Sequence, residues 1–233
     1  EGRIYRELGD ALSGMVESFS FTSLAEKILS TEGGAAVQTL SDAGRAVLVR
    51  RALEELQDNV HYYHRHRRSA AFCQMAAQTI DELKSAGLSG QQLAQLAGAC
   101  GAESGKLSEL ALIFQGYETL LARSGMDPSD RLELAGARLE EALARHSLPE
   151  FLRDRAVFID EFDTFNAPKK RLLGAMLAAL PSVTVALCDD GAPLLPGDLS
   201  LFSGAKQVAA QLRQLARKNG AEVAVPQLLR KDL

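Results

Sequence analysis

The spacing of apolar and polar positions divides the chain into three parts. Between residues 31 and 150 apolar side chains recur at helical intervals, and no alternating Val/Ile-rich run interrupts them. Five helices are predicted there. The first follows Ser41 and the third follows Ser89, because serine side chains cap helix N-termini. The fifth begins at Asp127-Pro128, where an acid at the N-cap position precedes a proline at the first helical position.

After residue 150 the pattern changes to strands that alternate with helices. Residues Ala156–Asp160, a short apolar run that ends in an acid, predict a strand buried on both faces, as in a parallel sheet. A second strand, Val183–Leu187, follows one helix later, and Glu222–Val225 is a candidate last strand. Near the start of the chain, residues 14–20 predict a further strand. This alternation is typical of parallel βαβ units.

These patterns together predict an α/β protein with an insertion. Residues 1–30 and 151–233 are expected to form one parallel sheet with its helices, in which strands near Val16, Phe158 and Val185 lie side by side. Residues 31–150 are expected to form a separate all-helical body between the two sheet segments.

Composition and charge narrow the function only slightly. The 233 residues are 46% hydrophobic and 24% charged, which is typical of a globular protein. A net charge of −4 provides no overall attraction to nucleic acid, so any such contact requires a local patch. No apolar stretch approaches the roughly 20 residues of a membrane helix. The start at Glu1-Gly2-Arg3 is neither a signal peptide nor a natural beginning, which suggests a fragment.

The three cysteines predict neither a metal site nor a disulfide framework. Cys73, Cys100 and Cys188 are odd in number and far apart. We expect them to be small buried hydrophobic side chains in a protein of the reducing cytoplasm.

Two acids at the end of the predicted strand Ala156–Asp160 are the clearest candidates for functional residues. Asp160 and Glu161 follow the apolar run at the edge where parallel sheets bind ligands. In a P-loop NTPase an acid at this place holds Mg²⁺, and a second acid orients the attacking water. A solvated acidic turn is the alternative. Residues 98–106 lack the first glycine and the Ser/Thr of a phosphate loop, so they are interpreted as a linker.

Residues 59–68 form the only concentrated basic run, and aromatic side chains alternate with the charges. Arg65, Arg67 and Arg68 could pair with phosphates, while neighbouring Tyr and His rings could stack on unpaired bases. A solvated helix face is the alternative, and metal binding is disfavoured because no acid or cysteine lies beside the histidines. The hydroxyls of Ser18 and Ser20 could contact phosphate or merely cap the next helix.

Three segments, in their order along the chain, resemble the motifs of superfamily 1 helicases. Ser18–Ala25 is similar to the strand-to-helix motif that contacts single-stranded DNA. Tyr117–Leu121 together with Met126–Leu132 resembles the "Y…mDFdDLL" segment, and Ile159–Asn166 resembles motif II, "vDEfQDtn". Within the superfamily, the chain most resembles the B subunit of AddAB-type (RexAB-type) helicase–nucleases. Four features support this assignment: Phe165, Val183–Leu187, Leu201-Phe202-Ser203 and Ser41–Arg45.

The resemblance implies part of a P-loop-NTPase-like sheet, helicase subdomain 1A, with the helical subdomain 1B inserted. It also implies a phosphate loop before residue 1 and a nuclease domain with an iron–sulfur cluster beyond Leu233. Two departures from the helicase pattern weaken any link between hydrolysis and DNA movement. Asp163 replaces the glutamine of motif II, and Cys188-Asp189-Asp190-Gly191 replaces the following "GDxxQ".

By the same resemblance, the whole subunit is expected to use ATP and Mg²⁺, with Asp160 and Glu161 on the nucleotide side and Asp189 and Asp190 as a motif III-like pair. The fragment is expected to bind no cofactor and to hydrolyse no ATP. Its implied role is DNA binding and assembly in double-strand-break repair by recombination. The expected partners are a single strand or duplex end of DNA and the A subunit of the heterodimer.

Two other functions stay open at the level of sequence. One is a Mg²⁺-dependent nuclease in which Asp160, Asp163 and Asp189 share the metal, since acids at strand ends suit that chemistry. The other is a helical protein-interaction module that the α/β part merely supports.

Overall fold

The computed structural model describes residue 6 and residues 14–56, 58–101, 104–227 and 229. Within these residues the chain is mostly helical and carries a small parallel sheet, consistent with the predicted α/β class. The helices are α1 Phe21–Glu32, α2 Asp42–Glu55, α3 Ala70–Ser85, α4 Gly90–Ala97, α5 Ser104–Ser124, α6 Pro128–Ala144, α7 Ala167–Ala179 and α8 Ser203–Lys218. The strands are β1 Ala156–Ile159 and β2 Ser182–Val185.

Two hydrophobic cores organise the described chain. The first lies among α2, α3, α4 and α5, and Phe114 and Ile113 of α5 are completely buried in it. The second lies between the sheet and α1, α6, α7 and α8, with Leu139, Leu172 and Ile28 at its centre. Helix α6 therefore shares its core with α1 and α7. The domain limits at residues 30 and 150 stay a prediction.

Serine caps explain where several helices begin. Ser41, Ser89 and Ser20 each accept a hydrogen bond from the backbone amide three residues later, as the sequence predicts for α2, α4 and α1. Asp127 occupies the N-cap position of α6, but its carboxylate makes no capping bond. Its two oxygens instead accept hydrogen bonds from the Tyr117 hydroxyl and the Lys84 ammonium. A buried donor without a partner costs more free energy than a helix end without a cap.

The two strands are parallel, with Ala156 opposite Ser182 and Ile159 opposite Val185. Helix α7 connects them, which confirms one predicted βαβ unit. The expectation that the first strand is buried on both faces is wrong, because Phe158 is 76% exposed. Alternate residues of the strands, among them Ile159, pack on the helices, and no element of the described chain covers the opposite face.

The other two predicted strands do not form in the described chain. Residues 16–20 and 221–227 have no regular secondary structure, and β1 pairs with β2 alone. A strand needs a hydrogen-bonded neighbour and an apolar face to bury. Phe19 instead contacts Phe151 before β1, while Val225 is 87% exposed.

Cysteine burial and membrane character were also predicted. Cys73 is buried as expected, but Cys100 and Cys188 are exposed, so burial was the wrong expectation for these two. Both lie in connections outside the helices and strands, where no apolar core is available.

Within the described part of the chain, no helix combines the length and apolar character that crossing a membrane requires.

Candidate functional site

The carboxyl edge of the sheet carries the acids that the sequence singles out. Asp160 follows β1 directly, and its Oδ1 accepts a hydrogen bond of 2.9 Å from the backbone amide of Glu161. Glu161 has a φ of 64°, a left-handed conformation that costs free energy for any residue with a side chain. Both side chains are exposed. The turn therefore presents two carboxylates to solvent at the end of the strand.

A second acidic turn follows β2 at the same edge. Asp189 and Asp190 accept hydrogen bonds from the backbone amides two residues later. The ammonium of Lys206, on α8, lies 2.9 Å from Asp190 and 3.7 Å from Asp198, and its residue is 5% exposed. The hydrogen bond from Lys206 lowers the pKa of Asp190 below its ordinary range. Sequence reasoning missed Lys206, although it lies just after the family-like segment Leu201-Phe202-Ser203.

The structure does not support the nuclease interpretation. In the described residues, which include Asp160, Asp163 and Asp189, no three His, Cys, Asp or Glu side chains come together as ligands of one metal ion. Asp163 lies exposed in the turn between β1 and α7. The three acids therefore do not form the shared Mg²⁺ site that this interpretation requires. The helical interaction module stays a prediction.

Two of the resembling segments pack against each other. The ring centroid of Phe21 lies 4.9 Å from that of Phe162 and 6.1 Å from that of Phe165, with the ring planes nearly perpendicular in both pairs. The ammonium of Lys169 lies 5.2 Å from the Phe162 ring centroid. Asn166 caps α7. These aromatic residues of the motifs therefore build the core beneath the sheet edge.

Of the two serines predicted to contact DNA, Ser20 has a structural role. Its hydroxyl accepts from the amide of Ser23 at 3.1 Å, and the Ser23 hydroxyl accepts from the Ser20 amide, so the pair forms a capping box. Ser18 lies exposed in the irregular segment before α1. A role for either hydroxyl in DNA binding stays a prediction.

The basic run lies in the connection between α2 and α3 and forms no α-helix, while its alternative role as a merely solvated surface stays open. His64–His66 is one turn of 3₁₀-helix. Arg65 and Arg68 are exposed, and Arg67 donates a hydrogen bond of 2.8 Å to the Nε2 atom of His64. Three arginines thus lie within four residues of one short connection.

A buried carboxylate holds this turn in place. Glu109 of α5 is 6% exposed and accepts hydrogen bonds from the backbone amides of His61, Tyr62 and Tyr63, at 2.7–3.2 Å. Sequence reasoning missed Glu109. The available signal was its position on the apolar face of α5, four and eight residues before the buried Ile113 and Tyr117. An acid there needs buried donors, and the turn supplies them.

The turn also assembles aromatic side chains from two elements. The Tyr63 and Phe72 rings are stacked with centroids 5.3 Å apart, and the His66 ring lies 5.5 Å from Phe72 at an angle of 30°. The sequence predicted stacking of bases on Tyr and His rings, but it did not single out Phe72 or Met75, and it assigned Lys106 to a linker. All three line a cavity beside the turn.

A family model described as "ADDB, N-terminal" matches residues 1–232. The chain belongs to the AddB family. This agrees with the family that the three sequence motifs indicate, two of which pack against each other through Phe21 and Phe162.

Curated relatives in the AddB family are named as the B subunit of an ATP-dependent helicase/deoxyribonuclease. The protein of Desulforudis audaxviator is 33% identical over 227 residues, which are 94% of this chain and 19% of the relative. That of Moorella thermoacetica is 31% identical, with the same two coverages, and that of Anoxybacillus flavithermus is 28% identical over 98% of this chain and 20% of the relative. The chain thus spans about one fifth of the length of these relatives.

Proposed function

We propose that this chain is a DNA-contacting part of the helicase-like subunit of a helicase–nuclease that processes DNA double-strand breaks. One observation carries the proposal: Glu109 holds in place the short turn on which Arg65, Arg67 and Arg68 lie. Guanidinium groups pair with phosphate oxygens through directed hydrogen bonds. The names of the curated relatives, helicase and deoxyribonuclease, support nucleic acid as the ligand.

The charge distribution sets the expected strength of binding. The whole chain carries a net charge of −4, so attraction to DNA depends on the local arginines. Three phosphate contacts on a single strand correspond to a slope of about −2 in a plot of log K against log salt. Raising the salt from about 50 to about 200 mM should therefore weaken binding about 20-fold. Affinity is expected to be modest.

In the longer subunit, Asp160 and Glu161 are proposed to serve a bound nucleotide. Mg²⁺ is commonly held by one or two carboxylates together with phosphates and water, and a turn with two exposed carboxylates fits that requirement. Asp160 would hold the metal ion and Glu161 would orient water. The metal ion would neutralise charge on the phosphates. Asp190 forms an ion pair with Lys206 of α8. Its proposed role is therefore to hold the acidic turn after β2 in place at the edge of the sheet.

The remaining parts of the proposal concern assembly and place in the cell. The subunit would pair with the A subunit of a heterodimer and act in the cytoplasm. The exposed side of the sheet around Phe158 supports further packing in the longer protein, because isolated strands with one open face are only marginally stable.

Fluorescence anisotropy of a labelled single-stranded oligonucleotide tests the proposal. The parent chain is compared at low and high salt with the triple variant Arg65→Ala, Arg67→Ala, Arg68→Ala. The control replaces Arg155, Arg213 and Arg217 by alanine, which removes the same charge from exposed positions elsewhere.

We expect the first variant to lose most binding and its salt dependence, while the control keeps more of both. Equal binding by the parent and the first variant would show that the basic turn is only a solvated surface.

A further inference from the structure

A cavity opens beside the basic turn, between that turn, α3 and the first turn of α5. Its volume is about 440 Å³, within the roughly 300–1,000 Å³ of small-molecule sites. Residues that line it include Tyr62, Tyr63, His66, Phe72, Met75 and Lys106. Its walls are thus mainly aromatic and apolar, with one ammonium group and no acid among the described residues that line it.

Two large side chains of this cavity are unusually exposed. Tyr62 is 57% exposed and Met75 is 55% exposed, although the neighbouring Ala76 and Ala77 of α3 are buried in the helical core. Contact between apolar surface and water is unfavourable, so a ligand that covers this surface gains free energy of binding. The cavity therefore has surfaces suited to a flat apolar partner.

Two features fix the position of Tyr62. Its backbone amide donates to both carboxylate oxygens of Glu109, at 3.0 and 2.8 Å. Its ring lies against Gly105, so close that a methyl group at Gly105 would come within 2.9 Å of the ring. The ring is thus placed before any ligand arrives, which reduces the entropy lost on binding.

The charge around the cavity identifies the class of ligand. Lys106 lines it, and Arg65 and Arg68 lie on the adjoining turn. A ligand that combines a flat ring with a negatively charged backbone matches both the aromatic walls and the surrounding cations. A nucleotide of a single strand has this combination, whereas an acidic peptide has the charge without the ring.

We propose that this cavity takes one unpaired base of single-stranded DNA. The base would stack on the ring of Tyr62, beside the Tyr63–Phe72 pair, and the flanking phosphates would contact Lys106, Arg65 and Arg68. This inference rests on the proposed function, since it assigns a base-binding role to the same DNA-contacting turn. It adds that binding depends on the base as well as on the phosphates.

The test uses the full 233-residue chain and an oligothymidine strand with one 2-aminopurine. Stacking on an aromatic ring is worth enough that Tyr62→Ala should weaken binding about 5- to 150-fold and abolish quenching of 2-aminopurine fluorescence. Tyr62→Phe keeps the ring and should bind like the parent. Phe158→Ala removes an exposed ring from the sheet and serves as the matched control.

The outcomes separate this inference from the proposed function. Tyr62→Ala should leave the slope of log K against log salt unchanged, because it removes no charge. The base-binding role is wrong if Tyr62→Ala binds DNA like the parent chain and if the parent chain binds an abasic strand like the complete one. The DNA-contacting turn stands in that case if the triple arginine variant loses binding. If the parent shows no salt-dependent binding, both are wrong.

Discussion

The hydroxyl of Tyr117 donates a hydrogen bond of 2.6 Å to the carboxylate of Asp127, and each residue is only 1% exposed. Both belong to the segments on which the family resemblance depends. Lys84 of α3 completes the cluster, since its ammonium lies 2.8 Å from the second oxygen of Asp127 and 2.6 Å from Asp130. These motif residues therefore join α3, α5 and α6, and their contribution is to packing.

Tyr117→Phe should lower the free energy of unfolding by about 1–3 kcal/mol, the cost of removing one partner from a buried hydrogen bond. Burial and the hydrogen bond to Asp127 raise the pKa of Tyr117 far above its ordinary range, so the hydroxyl remains a donor at neutral pH. Urea denaturation measures the change. Tyr62→Phe, at an exposed ring, is the control and should change stability little. Equal effects of the two variants would contradict the structural role of the bond.

Lys84→Met should destabilise the chain more strongly, by about 3–5 kcal/mol, because it leaves buried carboxylates without their cation. Burial acts against the charged ammonium, but the hydrogen bonds to Asp127 and Asp130 outweigh it and raise the pKa of Lys84. Adding Asp127→Asn and Asp130→Asn to the variant should recover part of the loss, since these changes remove the unpaired charges. Lys218→Met, on the exposed end of α8, is the control. A triple variant no more stable than Lys84→Met would show that packing, and not charge, explains the loss.

Stability should fall in acid partly through Glu26. The hydrogen bond from Arg131 lowers the pKa of Glu26 below its ordinary value of 4.5. A carboxylate with a lowered pKa stabilises the fold fully above about pH 4.5, and that contribution disappears as the pH falls through the lower folded-state value. The Glu26 side chain is 46% exposed, so solvent screening keeps the effect below about 1 kcal/mol.

Urea denaturation across this pH range, with the parent and Glu26→Gln, measures the contribution of Glu26. The variant should lose less stability in acid than the parent. In an Arg131→Met background, Glu26→Gln should no longer change the pH dependence. An unchanged effect in that background would show that Arg131 is not the cause.

Gly105→Ala should separate stability from DNA binding. Alanine is favoured over glycine in a helix by about 0.5–1 kcal/mol, so the fold should be at least as stable as the parent. The new methyl group would displace the Tyr62 ring, and DNA affinity should fall toward that of Tyr62→Ala. Gly204→Ala is the matched control, because Gly204 is also the second residue of a helix that begins with serine and has open space around it. Equal DNA affinity of the two variants would show that the position of Tyr62 does not matter.

The purified chain should show no steady ATP hydrolysis. Phosphoryl transfer requires groups that surround the β- and γ-phosphates, and none of the 233 residues forms the sequence G-x-x-x-x-G-K-[ST]. Release of inorganic phosphate from ATP with Mg²⁺ is the measurement. Turnover that Asp160→Ala abolishes and Asp163→Ala leaves intact would contradict this prediction.

The sequence by itself determined the helices, their serine caps and the βαβ unit. These features follow from local rules: apolar spacing sets a helix face, and a serine hydroxyl satisfies the amides of the turn that it precedes. The order of three motifs was enough to indicate the family, because it depends on residue identity along the chain and not on contacts.

Only the tertiary structure decided what particular residues do. Asp127 was expected to cap a helix and instead neutralises Lys84. The position of Glu109 on an apolar helix face indicates burial, but it does not indicate that the donors come from a turn almost fifty residues earlier. Whether Val16 joins a sheet, and whether another element covers Phe158, depends on which elements pack beside them. Met75, although exposed, lines a cavity only because the basic turn and α5 lie next to it. Buried charges and strand pairing are decided by partners distant in sequence, so the local pattern cannot determine them.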